Sequence, residues 1–588
     1  MDSNSSAFDG RYLKPIEQSI KQHFEEIKAI NDTIFRNPEL AWNENIAHDV
    51  ICDHFDALGS DFTVYRHAYG LKTAFVVEAR HDASDHGATV SNGVVGFPVP
   101  KEPERTVSEP DFVAPPPIPK NGRLVIFNAE YDALPVTSKL PRTTRPGVSA
   151  SHACGHNLIT SSSVAAFTSC WEALKHKNRE EAYLDHRVPR ATMFVRLLGT
   201  PAEESGGGKI KLLRAGAYEG ASACLMAHPG PLAWTDTSLR ALALTSSLAS
   251  QRLIVNFDGQ ASHMAFHQPT STGTTDGAIH SNRKNALDAL VIAYVSISAL
   301  ARELKPPARV FGFIRSGGTA ANVVPDRTRA EYSIRAKTIQ ELVALRKEVT
   351  RRLKAGGAEA GCTTHVIDSR ATYWNLISNE PLCQAFSSHM SNFGISTAYT
   401  LPEITDNPVA ATDQGNVSHH CPAMQAAFFI DSRGAFNHQP EFAACAGTDD
   451  AFARAMDCAK GLAAVGVDVL TNDVLHGAVR SSFEESLRIS GSEADQEADS
   501  DHEGTGMSAT ALGEEHSAGP RAETMTGAAE GISSTSATGG LKDMAETLET
   551  KSASFTLEGL ANLSGKTREG VIASLMGVAA PPSDTLTR

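Results

Sequence analysis

Apolar positions along the chain change their period several times. Between residues 15 and 60 they recur three to four apart, as Ile16, Ile20, Phe24, Ile27 and Ile34 do, and that spacing predicts helices. RLVIFNAEYDALP, ATMFVRLLGTPAEES and ASACLMAHPGP follow, each an apolar run ending in a polar loop. A parallel strand buried on both faces reads as such a run, so three strands are predicted. A helical pattern from about Leu158 to Lys175 separates the first two runs, and another from about Lys209 to Ala215 precedes the third. Strands alternating with helices predict an α/β fold with a largely parallel sheet. Ligands of such sheets gather at the carboxyl ends of the strands, where these polar loops would lie.

Residues 250–368 carry a different order. QRLIVNFDG, ARVFGFIRSGG, RTRAEYSIRAKT and CTTHVID read as strands, and ALDALVIAYVSISALARELK and IQELVALRKEVTRRLKAGG as helices. The succession β-α-β-β-α-β is ferredoxin-like. The α/β pattern resumes with AMQAAFFI as a strand and TDDAFARAMDCAKGLAAVGVDVL as a helix. The expected organisation is a larger domain in two parts, 1–249 and 369–488, an inserted domain at 250–368 and a tail at 489–588. The proline-rich stretch 81–121 reads as a surface insertion.

Composition sharpens this picture. A length of 588 residues exceeds what one core serves, and 41% hydrophobic with 21% charged residues is ordinary for a globular protein. Residues 489–588 hold 16 acidic and 6 basic residues, so about two thirds of the net charge of −15 falls on the tail. That segment is poor in aromatics and rich in Gly, Ser and Ala, and is expected to be disordered. No basic patch with interleaved aromatics argues for nucleic acid, and no apolar run is long enough for a bilayer. The first residues lack a basic start followed by an apolar core, so no secretory signal is expected. Nine cysteines without repeating spacing read as reduced thiols of a cytoplasmic protein.

The candidate chemistry begins at HACGHN, residues 152–157, where Gly155 separates Cys154 from His156. Alone, this stretch fits a buried turn, a thiol beside its base, or a metal pair. In GTPAEESGGGK the adjacent Glu203 and Glu204 close an apolar run, and burying both is costly unless a cation neutralises them. His228 follows the third run, and His438 sits in FNHQPEF. Each signal is weak by itself. Together, four strand-end loops offer thiolate, imidazole and carboxylate, the ligand types of zinc and its neighbours. Five candidate ligands exceed the need of one tetrahedral ion, which points to two divalent ions and assisted hydrolysis.

EYDALP, SHACGHNLI, GTPAEESGGGKIKLL, MAHP, GQASHMA with NALDA, ANVVPD and TDQGNVSHHCP, in that order, resemble the aminoacylase/carboxypeptidase family of zinc-type exopeptidases, peptidase family M-20, in its amidohydrolase branch. The resemblance runs from about residue 20 to 480 and leaves out the tail. It implies a zinc-exopeptidase-like catalytic domain with an inserted dimerisation and lid domain, and a homodimer formed through 250–368. It implies Cys154, His156, Glu204, His228 and His438 as metal ligands, Glu203 as general base and Asp132 as the carboxylate that orients a site histidine or the metal pair. Zinc is expected, with manganese or cobalt as alternatives. Glu130 stands where other branches place a ligating histidine, and its role stays open. His263 matches a residue that reaches the partner subunit's active site, and Asn322 and Arg335 match positions that hold the substrate carboxylate. The implied substrate is a dipeptide, C-terminal Lys or Arg included, or an N-acyl amino acid. Insertions at 136–151 and 265–283 depart from the family near the site and put substrate size in question. The rival readings are a cysteine hydrolase using Cys154 and a non-catalytic interaction protein that keeps the fold.

Overall fold

The structure is a computed structural model that describes residues 10–81, 113–135, 150–184, 192–232, 238–263, 284–402 and 408–490. Most of the three insertions and the acidic tail beyond 490 lie outside the described residues, as do the expectations attached to them.

Three helices open the chain: α1 (Leu13–Gln22), α2 (Phe24–Arg36) and α3 (Asn45–Leu58). The periodic apolar positions Ile16, Ile20, Ile27, Ile34, Ile51 and Phe55 all enter the main core. Next come β1 (Thr63–Arg66), β2 (Phe75–His81), β3 (Arg123–Ala129), the short pair β4 (Leu134–Pro135) and β5 (Ala150–Ser151), and α4 (His156–Leu184). Then follow β6 (Met193–Gly199), α5 (Gly208–Arg214), β7 (Ala221–Pro231) and β8 (Ala241–Leu242). The second layer holds β9 (Ala249–Asp258), β10 (Ser262–His263), α6 (Ala286–Glu303), β11 (Arg309–Ser316), β12 (Val323–Val324), β13 (Arg327–Ala336), α7 (Ile339–Glu359) and β14 (Thr363–Asp368). The chain closes with α8 (Glu380–Asn392), β15 (Thr397–Ala398), α9 (Gln414–Ser418), β16 (Ala423–Ile430), α10 (Pro440–Ala446), α11 (Asp449–Thr471) and α12 (Asp473–Ser490).

The large sheet runs β1-β2-β6-β3-β7-β16-β8-β15. Its centre, β6-β3-β7-β16, is parallel throughout, so four carboxyl ends open on the same side. The runs read as strands are buried along almost their whole length, as strands covered by helices on both faces must be. Helix α11 packs closely because it carries small residues. A Cβ on Gly466 would stand 2.9 Å from the ring of Phe127 and 3.0 Å from Cys170 Sγ.

The small sheet runs β11-β13-β9-β14, fully antiparallel, with α6 and α7 against one face, which is the ferredoxin-like order. Leu253, Val255, Tyr332 and Ile334 bury against those helices, and the alternate positions take the other face.

Some elements go beyond the sequence pattern. The antiparallel edge β1-β2 abuts the proline-rich stretch, whose lack of period hides it. Helix α8 has a sequence start signal, Asn379 as N-cap with Pro381 in the first turn. Helix α12 runs through the expected boundary at residue 489. His228 lies within β7 rather than after it. All nine cysteines are free and buried, and among the described residues no single helix is long and apolar enough to cross a membrane.

Candidate active site

The carboxyl ends of β3, β6, β7 and β16 and the start of α4 bring the sequence candidates together. Cys154 sits in the turn before α4, where Gly155 adopts φ +80°, and a Cβ there would stand 2.6 Å from Pro229 Cγ. Only glycine lets this turn lie against the end of β7. Cys154 Sγ lies 3.4 Å from His228 Nε2. Asn437 holds the arrangement from behind by donating to Pro229 O at 3.1 Å, the carbonyl that also meets His228 Nδ1 at 2.8 Å.

His156 opens α4 and is fully buried. Its Nδ1 is 2.9 Å from Asp132 Oδ1, and Asp132 Oδ2 accepts from Glu204 N at 3.0 Å. Asp132 therefore fixes both the imidazole and the loop that carries the paired glutamates. His156 Nε2 faces Glu130 Oε2 at 3.6 Å and Glu204 Oε1 at 3.7 Å, and His438 Nε2 reaches Glu204 Oε1 at 3.3 Å.

The loop after β6 is strained where it meets the site. Ala202 takes φ +59°, and Glu44, fully buried, accepts from Ala202 N at 2.9 Å and from Thr73 Oγ1 at 2.8 Å. Gly208 is required next, since a Cβ there would lie 1.8 Å from Pro201 O. Tyr373 donates to Glu203 O and accepts from Gly207 N at 3.1 Å, and Arg370 Nη1 donates to Glu204 O at 3.1 Å. His438 also has a left-handed backbone, φ +72°.

Beneath the ligand loops lies a buried ion network. Lys209 Nζ donates to Glu130 Oε1 at 2.5 Å and to Asp413 Oδ1 at 2.6 Å, all three side chains being fully buried. Burial disfavours the charged lysine, but Asp413 and Glu130 outweigh it and raise its pKa. Burial pushes Asp413 up to about 6 despite Lys209.

Three buried polar atoms in this cluster have no hydrogen-bond partner: Glu130 Oε2, His156 Nε2 and Glu204 Oε1. Such atoms are costly in isolation. Here they face one another at 3.6 and 3.7 Å, beyond hydrogen-bond distance, with His438 Nε2 beside Glu204 Oε1, and all three can serve as lone-pair donors. Residues able to hold an ion form three overlapping sets: Cys154, His156 and His228; Cys154, Glu204 and His438; Glu130, His156 and Glu203. The donor set fits divalent metal, and a cation is what the orphaned atoms require.

The protonation states agree with that need. Burial and then Glu204 hold the Cys154 thiol well above its usual range, so beside these carboxylates it is no activated nucleophile. A bound dication would reverse this shift. Glu203 is raised well above the carboxylate range by burial and then by Glu130, Glu204 and Asp413. Glu204 is also disfavoured as an anion by burial, but its contact with His438 prevails and brings it down to about 2.

An open pocket of about 550 Å³ leads to this cluster, lined in part by Glu203, Glu204, Arg335 and His438. His263 and Asn322 do not line it. They sit together at the exposed β10-β12 pair, where His263 is registered with Val323. His152 braces its turn by a 3.1 Å contact to Ile34 O, and His419 meets Asn375 O at 3.0 Å. Sequence reasoning passed over Lys209, Asp413, Tyr373 and Arg370, and left Glu130 open. The first two stand inside motifs that had been singled out.

The site and fold have known counterparts. Residues 270–360 match the peptidase dimerisation domain of the M-20 peptidases. The chain is 31% identical over 473 residues to the Xaa-Arg dipeptidase of Homo sapiens, covering 80% of this chain and 92% of that one. It is 30% identical over 482 residues to the Xaa-Arg dipeptidase of Mus musculus, covering 82% and 94%. In fold it is like a putative aminohydrolase from methicillin-resistant Staphylococcus aureus, with a TM-score of 0.53 at 17% identity, covering 78% of this chain and 98% of that one. These likenesses define a metal-dependent hydrolase of the peptidase and amidohydrolase class. Within that class, the chain belongs to peptidase family M-20.

Proposed function

We propose that the chain hydrolyses the amide bond of a small substrate with a free carboxylate, a dipeptide or an N-acyl amino acid. The curated relatives named Xaa-Arg dipeptidase support a dipeptide. The observation that carries the reading is the set of three orphaned lone-pair atoms, Glu130 Oε2, His156 Nε2 and Glu204 Oε1, beside a carboxyl group, Glu203, whose pKa is raised. Cys154, His156, Glu204, His228 and His438 would hold two divalent ions, zinc first among candidates because of the thiolate, with Glu130 adjoining them. When bound, such ions polarise a carbonyl and make water acidic enough to attack at neutral pH.

The chain's own groups do the rest. Asp132 holds the His156 ring in one tautomer by bonding Nδ1, leaving Nε2 to face the site. Glu203 takes a proton from the attacking water and delivers it to the departing nitrogen, a role suited to a carboxyl group with a raised pKa. The C–N bond breaks, the acyl carbon gains hydroxyl, and the amine leaves protonated. Arg335, half-buried on the pocket wall, pairs with the substrate carboxylate. Asn322 and His263 serve the site from the small sheet's end of the molecule, His263 across a dimer interface. In this reading 1–249 with 369–488 form the catalytic part, 250–368 the dimerising lid, and the nine free thiols fit a reducing cytoplasm.

The 3.4 Å approach of Cys154 to His228 is the one feature that favours a thiol mechanism. Metal analysis with turnover decides between the two. Purified protein is expected to carry metal, to lose turnover of a dipeptide panel on chelation and to regain it on metal addition. Glu203→Gln is expected to keep its metal and lose about 10³-fold or more in kcat. Turnover that survives both chelator and Glu203→Gln would return the chemistry to Cys154.

A further inference from the structure

The chain passes between the large and the small sheet twice, from β8 to β9 and from β14 to α8. The two passages meet. Ser250 N donates to Tyr373 O at 2.8 Å and Tyr373 N to Ser250 O at 2.9 Å, a single antiparallel bridge. Side chains of the second passage also hold the loop that carries Glu203. Tyr373 Oη donates to Glu203 O and accepts from Gly207 N at 3.1 Å. Arg370 Nη1, three residues earlier, donates to Glu204 O at 3.1 Å. Gly207 lies close against this passage, since a Cβ there would stand 3.0 Å from Ala371 Cβ and 3.4 Å from Tyr373 Cε1.

Glu203 O and Gly207 N are four residues apart, the separation that an α-helical bond closes directly. One residue earlier it does close, with Gly206 N donating to Ala202 O at 2.8 Å. At Glu203 the phenol hydroxyl stands between acceptor and donor instead, so a side chain from outside the turn completes it. Upstream, the buried Glu44 accepts from Ala202 N at 2.9 Å. Ala202 is left-handed at φ +59°, a conformation that an L residue keeps only where its surroundings impose it. Glu203 is thus mounted between two anchors, one inside the large domain and one on the passage to the small sheet. The Tyr373 hydroxyl has a single proton, and Glu203 O takes it. Burial, then Asp413 and Glu203, push that hydroxyl's pKa up. Its part is therefore placement, not proton transfer to substrate.

We propose that Tyr373 is a positioning residue for Glu203, and that through it the placement of the small sheet is transmitted to the general base. A shift of β9 moves the Ser250–Tyr373 bridge, and the hydroxyl carries that movement to the peptide on which Glu203 is mounted. The proposal rests on the hydrolase reading above and deepens it, by naming what holds the base in place.

The test uses the metal-loaded full chain and two readouts. Turnover is measured on a panel of alanyl dipeptides and N-acetyl amino acids. Hydrogen exchange of residues 200–210 is followed by mass spectrometry and needs no turnover. Tyr373→Phe keeps the ring and removes only the hydroxyl. It is expected to retain its metal, to exchange faster over 200–210, and to lose about 10- to 100-fold in kcat with KM within about twofold. Added to Glu203→Gln, it is expected to cost no more than about a further twofold, because it acts through that carboxyl group. Ser250→Pro removes the N–H donated to Tyr373 O. It is expected to speed exchange over 200–210 and to lower kcat in the wild-type background but not in Tyr373→Phe. Wild-type kcat in Tyr373→Phe would overturn the proposal and leave the hydrolase standing. So would a loss that multiplies in full with that of Glu203→Gln, as a general structural defect predicts. Unchanged exchange and kcat in Ser250→Pro would overturn the transmission from the small sheet. No turnover of the panel by metal-loaded wild type would overturn the hydrolase reading, and with it the role of Glu203 as base.

Discussion

Glu203 and Glu204 are consecutive in the chain yet meet opposite surroundings. Glu204 faces His156 and His438 and stays ionised down to about pH 2, while Glu203 faces Glu130, Glu204 and Asp413 and holds its proton well above the usual range. What divides them is the cation each can see, and the deepest cation is Lys209. Its ammonium bonds both Glu130 and Asp413 directly, while His156 Nε2 stands 3.6 Å from Glu130. Lys209→Met keeps most of the volume and leaves two buried carboxylates unpaired. The expected cost is about 3–5 kcal/mol of stability, read as a lower urea midpoint at unchanged slope. Metal occupancy should fall with it, because Glu130 is no longer held toward His156. A loss under about 1 kcal/mol would mean that the network is not ionised. The ligand candidates were legible because thiol, imidazole and paired carboxylates at strand ends are unusual company. Lys209 and Asp413 were not, because they lie 204 residues apart and only the fold shows that they touch. Tyr373 and Arg370 occupy a linker with no period to mark it.

At the scale of elements, the central strands and long helices were legible since each buries an unbroken apolar run or stripe, and β1-β2 was not, its neighbour being a proline-rich stretch. Helix α3 shows what a legible stripe can conceal. Its buried face, Ala47, His48, Ile51, Cys52 and Phe55, includes a histidine only 1% exposed. His48 stacks on His67 at 4.7 Å, and its Nε2 accepts from His67 N at 3.4 Å, so the ring is needed neutral. Burial lowers its pKa, the nearby Asp49 opposes this, and His67 adds to the lowering. The unfolded chain then binds a proton near pH 6.5 that the folded chain refuses, so stability is held above that pH and falls as the pH drops toward the folded pKa. His54 on the same helix is shifted the same way, by burial. Urea unfolding between pH 7.5 and 5 should show this decline, and His48→Gln should flatten it. An unchanged slope in the variant would assign the acid lability to other groups.

On the scale of the whole molecule, the small sheet leaves a surface that a monomer has no use for. Val291, Ile292 and Val295 on α6 are exposed, and so are Phe311, at 73%, and Phe313 on β11. Strand β11 is an edge with eight residues open to pairing, and a long apolar edge invites a second copy. The match of residues 270–360 to a peptidase dimerisation domain fits a second copy at this surface. Phe311→Glu with Val295→Glu is expected to halve the mass found by light scattering. If His263, which does not line the pocket of its own chain, works in the partner's site, the monomer should lose turnover while retaining metal. Subunit mixing separates that role from mere dimer stability. His263→Ala and Glu203→Gln are each expected to be nearly inactive as homodimers. In a mixed dimer, the His263→Ala subunit keeps its own Glu203 and receives His263 from the other subunit, so one site of the two is whole. Unfolding and refolding the two variants in equal amounts makes half of the dimers mixed, and activity should return to about a quarter of wild type. Recovery near zero would confine His263 to its own chain, and with it the idea that each pocket is completed by its partner.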